Sequence, residues 1–190
     1  MSLLILNEIL FWSALFFLGW NVYFLIFNKG IPNIRTAPAL RRKMCEIIEQ
    51  HYKKTLHEKN TPYRIVDLGS GNGQLTRDIA KKYPDATVIG VEISKQQLYW
   101  ANRLKNAQKL ENLSYIETDF FDYDLSKADV VLLYQLEMHK IGQKLKQELK
   151  PGSLIISNRF QLGGGWADPQ LINVFTLYPH QKQLYVYRVE

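Results

Sequence analysis

Cysteine and histidine are scarce in this sequence of 190 residues, and their scarcity excludes several kinds of protein. The single cysteine, Cys45, cannot form an internal disulfide, so nothing in the chain requires an oxidising compartment. One cysteine and four scattered histidines also do not make a metal site. We therefore expect no bound metal.

The excess of positive charge is small over most of the chain. The net charge is +6, but residues 29–54 alone carry seven basic and two acidic residues. A nucleic-acid surface would spread its basic residues over the folded domain, whereas this excess directly follows an apolar segment. The pattern indicates a juxtamembrane position.

Charge is missing from a long segment near the N-terminus, Ile9–Phe27, in which Ser13 and Asn21 are the clearly polar residues. A helix over this segment is roughly 28 Å long, close to the hydrocarbon thickness of a bilayer. Its apolar residues lie on all sides, which argues against a half-buried amphipathic helix. A signal peptide would have a basic start, a shorter apolar segment and a cleavage site with small residues. The sequence therefore predicts one membrane anchor over residues 1–28.

The flanks of this segment predict its orientation. Glu8 is the first charged residue of the chain, whereas the basic residues follow the apolar segment. By the positive-inside rule, the C-terminal side lies in the cytoplasm, or in the matrix of an organelle. We expect a single-pass membrane protein with its larger part on that side.

A basic segment and a helix beginning at Pro38 fill residues 29–61, and from residue 62 the sequence alternates between strand and helix patterns. Apolar segments typical of buried parallel strands cover 64–68, 87–92, 113–117, 128–134 and 153–158. Helical patterns cover 75–83, 95–110 with Ser94 as N-cap, and 136–149. Two more strands, 171–177 and 184–189, form a hairpin after a loop at 159–170. The pattern predicts a doubly wound α/β sheet over 62–190, with an antiparallel strand at its edge.

A glycine-rich loop, Gly69-x-Gly71-x-Gly73, follows the first predicted strand, and Asp67 precedes it. The spacing differs from the G-x-G-x-x-G of nicotinamide and flavin sites, in which a helix N-terminus receives a pyrophosphate. An acid next to the loop disfavours a pyrophosphate and favours a cation. S-adenosylmethionine fits, because it carries an amino group and a sulfonium but no phosphate. We expect Ser70 to contact it together with the three glycines and Asp67.

Two further acids stand after the second and third predicted strands. Glu92 can accept hydrogen bonds from both ribose hydroxyls, with Ile93 beside it, and Asp119 can accept one from the adenine amino group. Phe120 is available to stack beside the adenine ring. Most acidic residues in loops are solvated and bind no ligand. If that held here, three acids would fall at strand ends by chance.

These motifs resemble a known enzyme family. "VDLGSGNGQL", "GVEIS" and "TDFF" are similar to motifs one, two and three of class I S-adenosylmethionine-dependent methyltransferases. The resemblance covers about residues 62–190. It implies a Rossmann-like sheet of seven strands that ends in an antiparallel hairpin, and S-adenosylmethionine as the cofactor.

A narrower resemblance takes in the front of the chain. One apolar segment, then "IPNIRTAP", then "DLGSGNGQ" resembles the membrane-anchored protein-lysine methyltransferases of mitochondria and their prokaryotic relatives. Those enzymes methylate lysines of the adenine nucleotide translocase and the ATP synthase c-subunit. The chain departs from their pattern at Asn72 and Gln74, where they tend to have an acid and an arginine. The resemblance implies a protein substrate that presents a lysine near the membrane.

The acceptor side is less clearly marked by the sequence. Tyr134, with Gln135 beside it, follows the fourth predicted strand and is our candidate for lining the methyl-transfer channel, although ordinary packing explains a tyrosine there equally well. After the fifth strand, Asn158 and Arg159 are candidates for the acceptor site, while packing is the favoured interpretation of Trp166.

Some residues and alternatives stay open at this stage. Thr36 is a further candidate for contact with the cofactor, whereas Tyr99 and Trp100 are expected to pack. The "NPPY" or "DPPY" motif of enzymes that methylate nucleic-acid bases is absent, so no nucleic-acid partner is expected. Two alternatives remain, a methyltransferase that acts on a lipid headgroup or a quinone-like molecule, and a binding module without catalysis.

Overall fold

The computed structural model describes residues 3–28, 35–56, 62–134, 138–163, 165–178 and 180–190. It divides the chain into two compact units, Met1–Ile34 and Arg35–Glu190. The predicted candidate Gln135 lies outside the described residues.

The first unit holds one long helix, α1, over Leu3–Asn28. Its part Ile5–Tyr23 is long and apolar enough to cross a membrane by length and composition, and its side chains are exposed. Two of its polar side chains donate hydrogen bonds within the helix. Asn21 donates from Nδ2 to the carbonyl of Phe17 at 2.6 Å, and Trp12 donates to Glu8 at 3.1 Å. In an apolar solvent such as a bilayer core, polar groups need hydrogen-bond partners of this kind within the protein.

The second unit is built on a seven-stranded sheet. Its strands are β1 Arg64–Leu68, β2 Thr87–Glu92, β3 Leu113–Glu117, β4 Val130–Leu133, β5 Leu154–Asn158, β6 Gln170–Asn173 and β7 Gln183–Arg188. The spatial order is β3-β2-β1-β4-β5-β7-β6. The first five strands are parallel, and β7 runs antiparallel to both β5 and β6. This confirms the predicted fold class.

Among the described residues, four helices accompany the sheet, and they lie close to their predicted positions. They are α2 Pro38–Leu56, α3 Gln74–Lys82, α4 Lys95–Ala107 and α5 Met138–Glu148. Ser94 caps α4 as predicted, because its side chain accepts from the N–H of Gln97. After β5, the described residues from 159 to 169 contain no helix, in agreement with the loop expected there.

The strand prediction over 171–177 is wrong in its second half. The strand β6 ends at Asn173, and the residues that follow form a turn, in which Tyr178 donates its N–H to Oγ1 of Thr176 at 3.2 Å. Alternating apolar residues suggested a continuous strand, but Phe175 and Leu177 are exposed outside it.

A hydrophobic core covers each face of the sheet. Helices α2 and α3 contribute to one core, in which Leu40, Met44 and Ile48 of α2 are fully buried. An ion pair between Arg41 and Asp78, at 2.7 Å, joins α2 to α3. Helix α5 covers the opposite face through Ile141 and Leu145 among others. The compact unit begins at Arg35, so α2 shares a core with the sheet.

Candidate functional site

The candidate site lies where the parallel strands end. The carboxyl ends of β2, β1 and β4 are neighbours, because β1 pairs with both other strands. In the sheet, β2 and β3 lie on one side of β1, whereas β4 and β5 lie on the other. The direction in which successive strands are added therefore reverses at β1. Ligands of open α/β sheets bind in the crevice at such a reversal. The predicted residues after β1, β2 and β3 therefore come to one edge of the sheet.

The glycine loop after β1 has a conformation that side chains disfavour. Gly69, Gly71 and Gly73 have φ angles of 80°, 54° and 73°. The N–H groups of Gly69 and Ser70 both donate to the carbonyl of Val91, at 2.8 and 3.0 Å. The loop is thus bound to the end of β2, and its backbone is exposed to whatever occupies the crevice.

Gly73 has an additional structural reason to be glycine. A Cβ atom at this position would lie 1.9 Å from the hydroxyl of Tyr115. That hydroxyl donates to the carbonyl of Gly73 at 3.2 Å and also contacts Oγ1 of Thr76 at 2.8 Å. Arg77 adds a second support, since it donates to the carbonyl of Asn72 at 2.5 Å. Sequence reasoning missed Tyr115 and Arg77, because their contacts with the loop and the burial of Arg77 become visible only in the structure.

The carboxylate of Glu92 connects the glycine loop to helix α4. Its Oε2 accepts from the N–H of Gly71 at 2.8 Å, and its Oε1 accepts from Ile93 at 3.0 Å and from Ser94 at 2.9 Å. A carboxylate has about four lone-pair sites, so roughly one remains for a ligand. Glu92 is therefore held in a fixed orientation at the site, and its predicted bond to a ribose stays a prediction.

Asp67 is buried beneath this arrangement and is 7% exposed. Burial, followed by the negative charge of Glu92, raises the pKa of Asp67 to about 7. A positively charged ligand would lower that pKa again and stabilise the carboxylate. Two acids close together at a strand end thus favour a cation and disfavour a phosphate.

Asp119 and Phe120 follow β3 on the same edge and are both half-buried. One carboxylate oxygen of Asp119 accepts from the N–H of Phe121 at 3.0 Å, which fixes the turn. The ring centroids of Phe120 and Phe121 lie 4.5 Å apart, so the two rings pack against each other. The predicted roles at an adenine ring remain predictions.

On the other side of β1, polar groups are buried without hydrogen-bond partners. Tyr134 and Asn158 each come one residue after the last paired position of β4 and β5, Leu133 with Ser157. Oη of Tyr134 and both amide atoms of Asn158 have no partner among the described residues, and the same holds for Oγ of Ser70 in the glycine loop. Asn158 is fully buried, and the ring of Tyr134 lies 6.0 Å from that of Phe160. Buried polar groups of this kind cost about 1–3 kcal/mol each and mark sites where a ligand can bind.

The remaining sequence candidates have structural partners. Trp166 donates to the carbonyl of Gly142 at 3.0 Å and packs edge-on against Tyr187, which agrees with the packing interpretation. Arg159 is exposed, with its guanidinium 5.0 Å from the ring of Phe160. The carbonyl of Thr36 accepts from Arg41 at 2.7 Å. Tyr99 and Trp100, expected to pack, are 59% and 47% exposed on α4, so that expectation is wrong.

These features fit S-adenosylmethionine. The glycine loop offers close approach of the backbone, Asp67 and Glu92 offer negative charge to a sulfonium and an amino group, and Oγ of Ser70 is buried and unpaired beside them. When bound, this cofactor supplies a methyl group for transfer to a nucleophile.

The chain is similar to known methyltransferases. The model of the ANTKMT methyltransferase domain family matches residues 67–169. A protein-lysine N-methyltransferase of Saccharolobus islandicus (strain REY15A) is 30% identical over 151 residues, which cover 76% of this chain and 85% of that protein. A malonyl-[acyl-carrier protein] O-methyltransferase of Halalkalibacterium halodurans is 30% identical over 70% of this chain, but only 53% of that relative is covered.

A solved structure agrees with these sequence matches. An RNA methyltransferase from Salinibacter ruber, in complex with S-adenosyl-L-homocysteine, is similar with a TM-score of 0.65 and 25% identity, over 82% of this chain and 94% of that chain. The family match covers more than half of the chain and begins at the buried Asp67. The chain therefore belongs to the ANTKMT methyltransferase domain family and is an S-adenosylmethionine-dependent methyltransferase.

Proposed function

We propose that this protein is anchored in a membrane and N-methylates a lysine of a membrane-associated protein. The observation that carries the proposal is the similarity to the protein-lysine N-methyltransferase of Saccharolobus islandicus, which extends over 85% of that enzyme. The apolar helix α1 and the basic residues that follow it support the anchor.

The acceptor lysine binds in the pocket of Tyr134, Asn158 and Phe160. A lysine must be neutral to attack a methyl group, and an apolar, partly dry pocket lowers the pKa of an ammonium. The ring of Phe160 supplies the apolar wall. The side-chain oxygens of Tyr134 and Asn158, which have no partner in the part of the chain that the structure describes, are acceptors for the N–H bonds of the amine. Catalysis then consists mainly of positioning and desolvation, and it needs no dedicated base.

The proposed organisation is an anchor over residues 1–28, a basic segment and helix over 29–61, and a methyltransferase domain over 62–190 that packs on that helix. The positive-inside rule places the methyltransferase domain in the cytoplasm or matrix. Tethering raises the effective concentration of substrates in the same membrane.

A second candidate function is methylation of RNA, which the likeness to the Salinibacter ruber RNA methyltransferase favours. The absence of an "NPPY" or "DPPY" motif makes the protein substrate the better proposal. Methylation of a lipid or quinone remains a third possible outcome of the same assay.

The test is to incubate the purified full chain with its native membranes and radiolabelled S-adenosylmethionine, then to separate protein, lipid and RNA. We expect label in protein, recovered as methyl-lysine after hydrolysis. Asp67→Ala should abolish the label, and the matched variant of an exposed acid, Asp85→Ala, should keep it. Label only in lipid or only in RNA would refute the protein substrate. Extraction of the chain by a carbonate wash would refute the anchor alone.

A further inference from the structure

An exposed apolar tip stands between β6 and β7. Phe175 and Leu177 are 92% and 90% exposed, and Tyr178 is 52% exposed. Scattered exposed apolar residues are ordinary, but three within four positions form a patch that soluble proteins usually avoid. We call these three residues the apolar tip.

The backbone of the apolar tip is held in place. The N–H of Val174 donates to the carbonyl of Lys182 at 2.8 Å and closes the hairpin, and Gln181 donates to the carbonyl of Tyr178 at 3.1 Å. Thr176 accepts from the N–H of Tyr178 at 3.2 Å. The apolar side chains are thus presented outwards on a defined turn.

Gln181 joins the foot of the apolar tip to the start of the compact unit. Its side chain is 3% exposed, accepts from the N–H of Ala37 at 2.6 Å and donates to the carbonyl of Arg35 at 2.9 Å. Arg35 is the first residue of that unit. Six residues of the sequence lie between Asn28, the end of α1, and Arg35.

The apolar tip also lies at the edge of the sheet where β4 and β5 end. We call this the acceptor edge, because the proposed acceptor residues Tyr134 and Asn158 stand there. Strand β7 begins at Gln183 and runs antiparallel to β5, so its first residues pair with the last residues of β5, Leu184 with Asn158. The N–H of Arg159 donates to the carbonyl of Gln183 at 3.0 Å. The turn before β7 and the unpaired amide of Asn158 therefore stand at the same edge.

The charges around the apolar tip suit an anionic membrane. Residues 170–183 contain no acidic residue. Lys182 and Arg35 are exposed basic residues near the foot of the apolar tip, where Lys182 follows Gln181 and the side chain of Gln181 donates to the carbonyl of Arg35. Aromatic and leucine side chains flanked by basic residues are typical of segments that lie in a bilayer interface.

We propose that the apolar tip inserts into the interface of the bilayer that α1 spans, and so holds the acceptor edge at the membrane surface. The inference rests on the proposed membrane anchor. Insertion to a depth of roughly 5–10 Å buries Phe175 and Leu177 and brings Lys182 and Arg35 to the level of the phosphates. A lysine that a membrane protein presents near the membrane surface can then bind in the proposed pocket of Tyr134 and Asn158.

The test uses an environment-sensitive fluorophore on the full chain. In a Cys45→Ala background, Phe175→Cys places the fluorophore at the apolar tip, and Trp100→Cys places it on an exposed residue of α4 as the matched control. Each chain is reconstituted into vesicles of phosphatidylcholine and phosphatidylglycerol, with and without lipids brominated on the acyl chains. We expect a blue shift and quenching by about twofold or more at position 175, and neither at position 100.

The outcomes separate this proposal from the anchor. A chain that floats with vesicles while the probe at 175 behaves like the probe at 100 refutes the apolar tip alone. A chain that does not float with vesicles refutes the anchor, and the tip with it. A blue shift that disappears when vesicles carry one chain each means that a second copy covers the tip, and this also overturns the proposal.

A functional readout completes the test. Phe175→Ser with Leu177→Ser should lower the labelling of native membranes several-fold and leave the affinity for S-adenosylhomocysteine unchanged. Tyr99→Ser with Trp100→Ser removes two exposed aromatic side chains from α4 and should leave both unchanged. Equal labelling by the two double variants would contradict the proposal.

Discussion

Oε2 of Glu92 accepts a hydrogen bond from the backbone N–H of Gly71 at 2.8 Å. Through this bond, one carboxylate joins the glycine loop after β1 to the end of β2. The other oxygen of Glu92 accepts from Ile93 and Ser94, so the same side chain also fixes the start of α4. The cofactor loop is thus shaped by an acid from the neighbouring strand.

Glu92→Gln should weaken binding of S-adenosylhomocysteine by about 10- to 100-fold, because an amide has one acceptor oxygen and no charge for three backbone donors. Calorimetric titration of the full chain in detergent measures the affinity. Glu117→Gln is the matched control, since Glu117 is the register partner of Glu92 on β3 but is exposed. Affinities of the two variants within twofold of each other would show that the hydrogen bonds of Glu92 do not shape the binding loop.

The affinity for S-adenosylmethionine should rise with pH between about pH 6 and pH 8. The pKa of Asp67 is raised to about 7, so the carboxyl is mostly protonated below that pH and offers no charge to a cation. The expected gain is up to tenfold per pH unit below the pKa, levelling off above it. Asp67→Asn should bind weakly with a flat profile, whereas Asp85→Asn should keep the slope. Parallel profiles for wild type and Asp67→Asn would exclude Asp67 as the titrating group.

The same pKa predicts a stability effect in the free protein. A carboxyl whose pKa is raised on folding loses stability as the pH rises towards and through the folded value of about 7. Asp67→Asn should therefore raise the melting temperature at pH 8 and raise it less near pH 5. Thermal unfolding at the two pH values measures the difference, and an equal gain at both would refute this assignment.

Gly73→Ala should destabilise the protein by roughly 2–5 kcal/mol, because it combines a left-handed φ with a Cβ 1.9 Å from the hydroxyl of Tyr115. Gly152→Ala separates the two causes, since Gly152 has φ +86° but no atom within 4 Å of an added Cβ. It should cost only about 1 kcal/mol. Thermal unfolding of both variants gives the comparison, and equal losses would show that the contact with Tyr115 is relieved at little cost.

Tyr134→Phe should lower kcat/KM by about tenfold or more and leave the stability unchanged or slightly higher. The hydroxyl of Tyr134 is buried without a partner among the described residues, so the folded protein loses no hydrogen bond with it. Tyr187→Phe is the contrasting variant, because the hydroxyl of Tyr187 accepts from the N–H of Leu162 at 2.9 Å. It should cost about 1 kcal/mol of stability and little activity. A Tyr134→Phe enzyme with wild-type kcat/KM would remove Tyr134 from the acceptor site.

Much of the local structure around the proposed cofactor site could be predicted from the sequence, because its signals are local. The three glycines with Asp67 ahead of them, Glu92 at the end of a buried strand, and Ser94 as a helix cap are each defined by neighbours in the chain. Apolar segments of strand length between helical patterns gave the parallel sheet, which the structure confirms. Local periodicity and turn chemistry are properties of short segments, so they can be recognised without knowledge of the tertiary contacts.

The acceptor side depended on the tertiary structure. Tyr134 and Asn158 are adjacent only because β4 pairs with β5, and the burial of their unpaired polar atoms is not visible in the sequence. Likewise Gln181 forms hydrogen bonds with Ala37 and Arg35, which lie 144 and 146 positions earlier in the chain. The sequence by itself determined the fold class, the position of the glycine loop and an apolar N-terminal helix. Strand pairing and long-range packing decided which buried polar groups lie at neighbouring strand ends and which apolar residues remain exposed, because those contacts join segments that are distant in the chain.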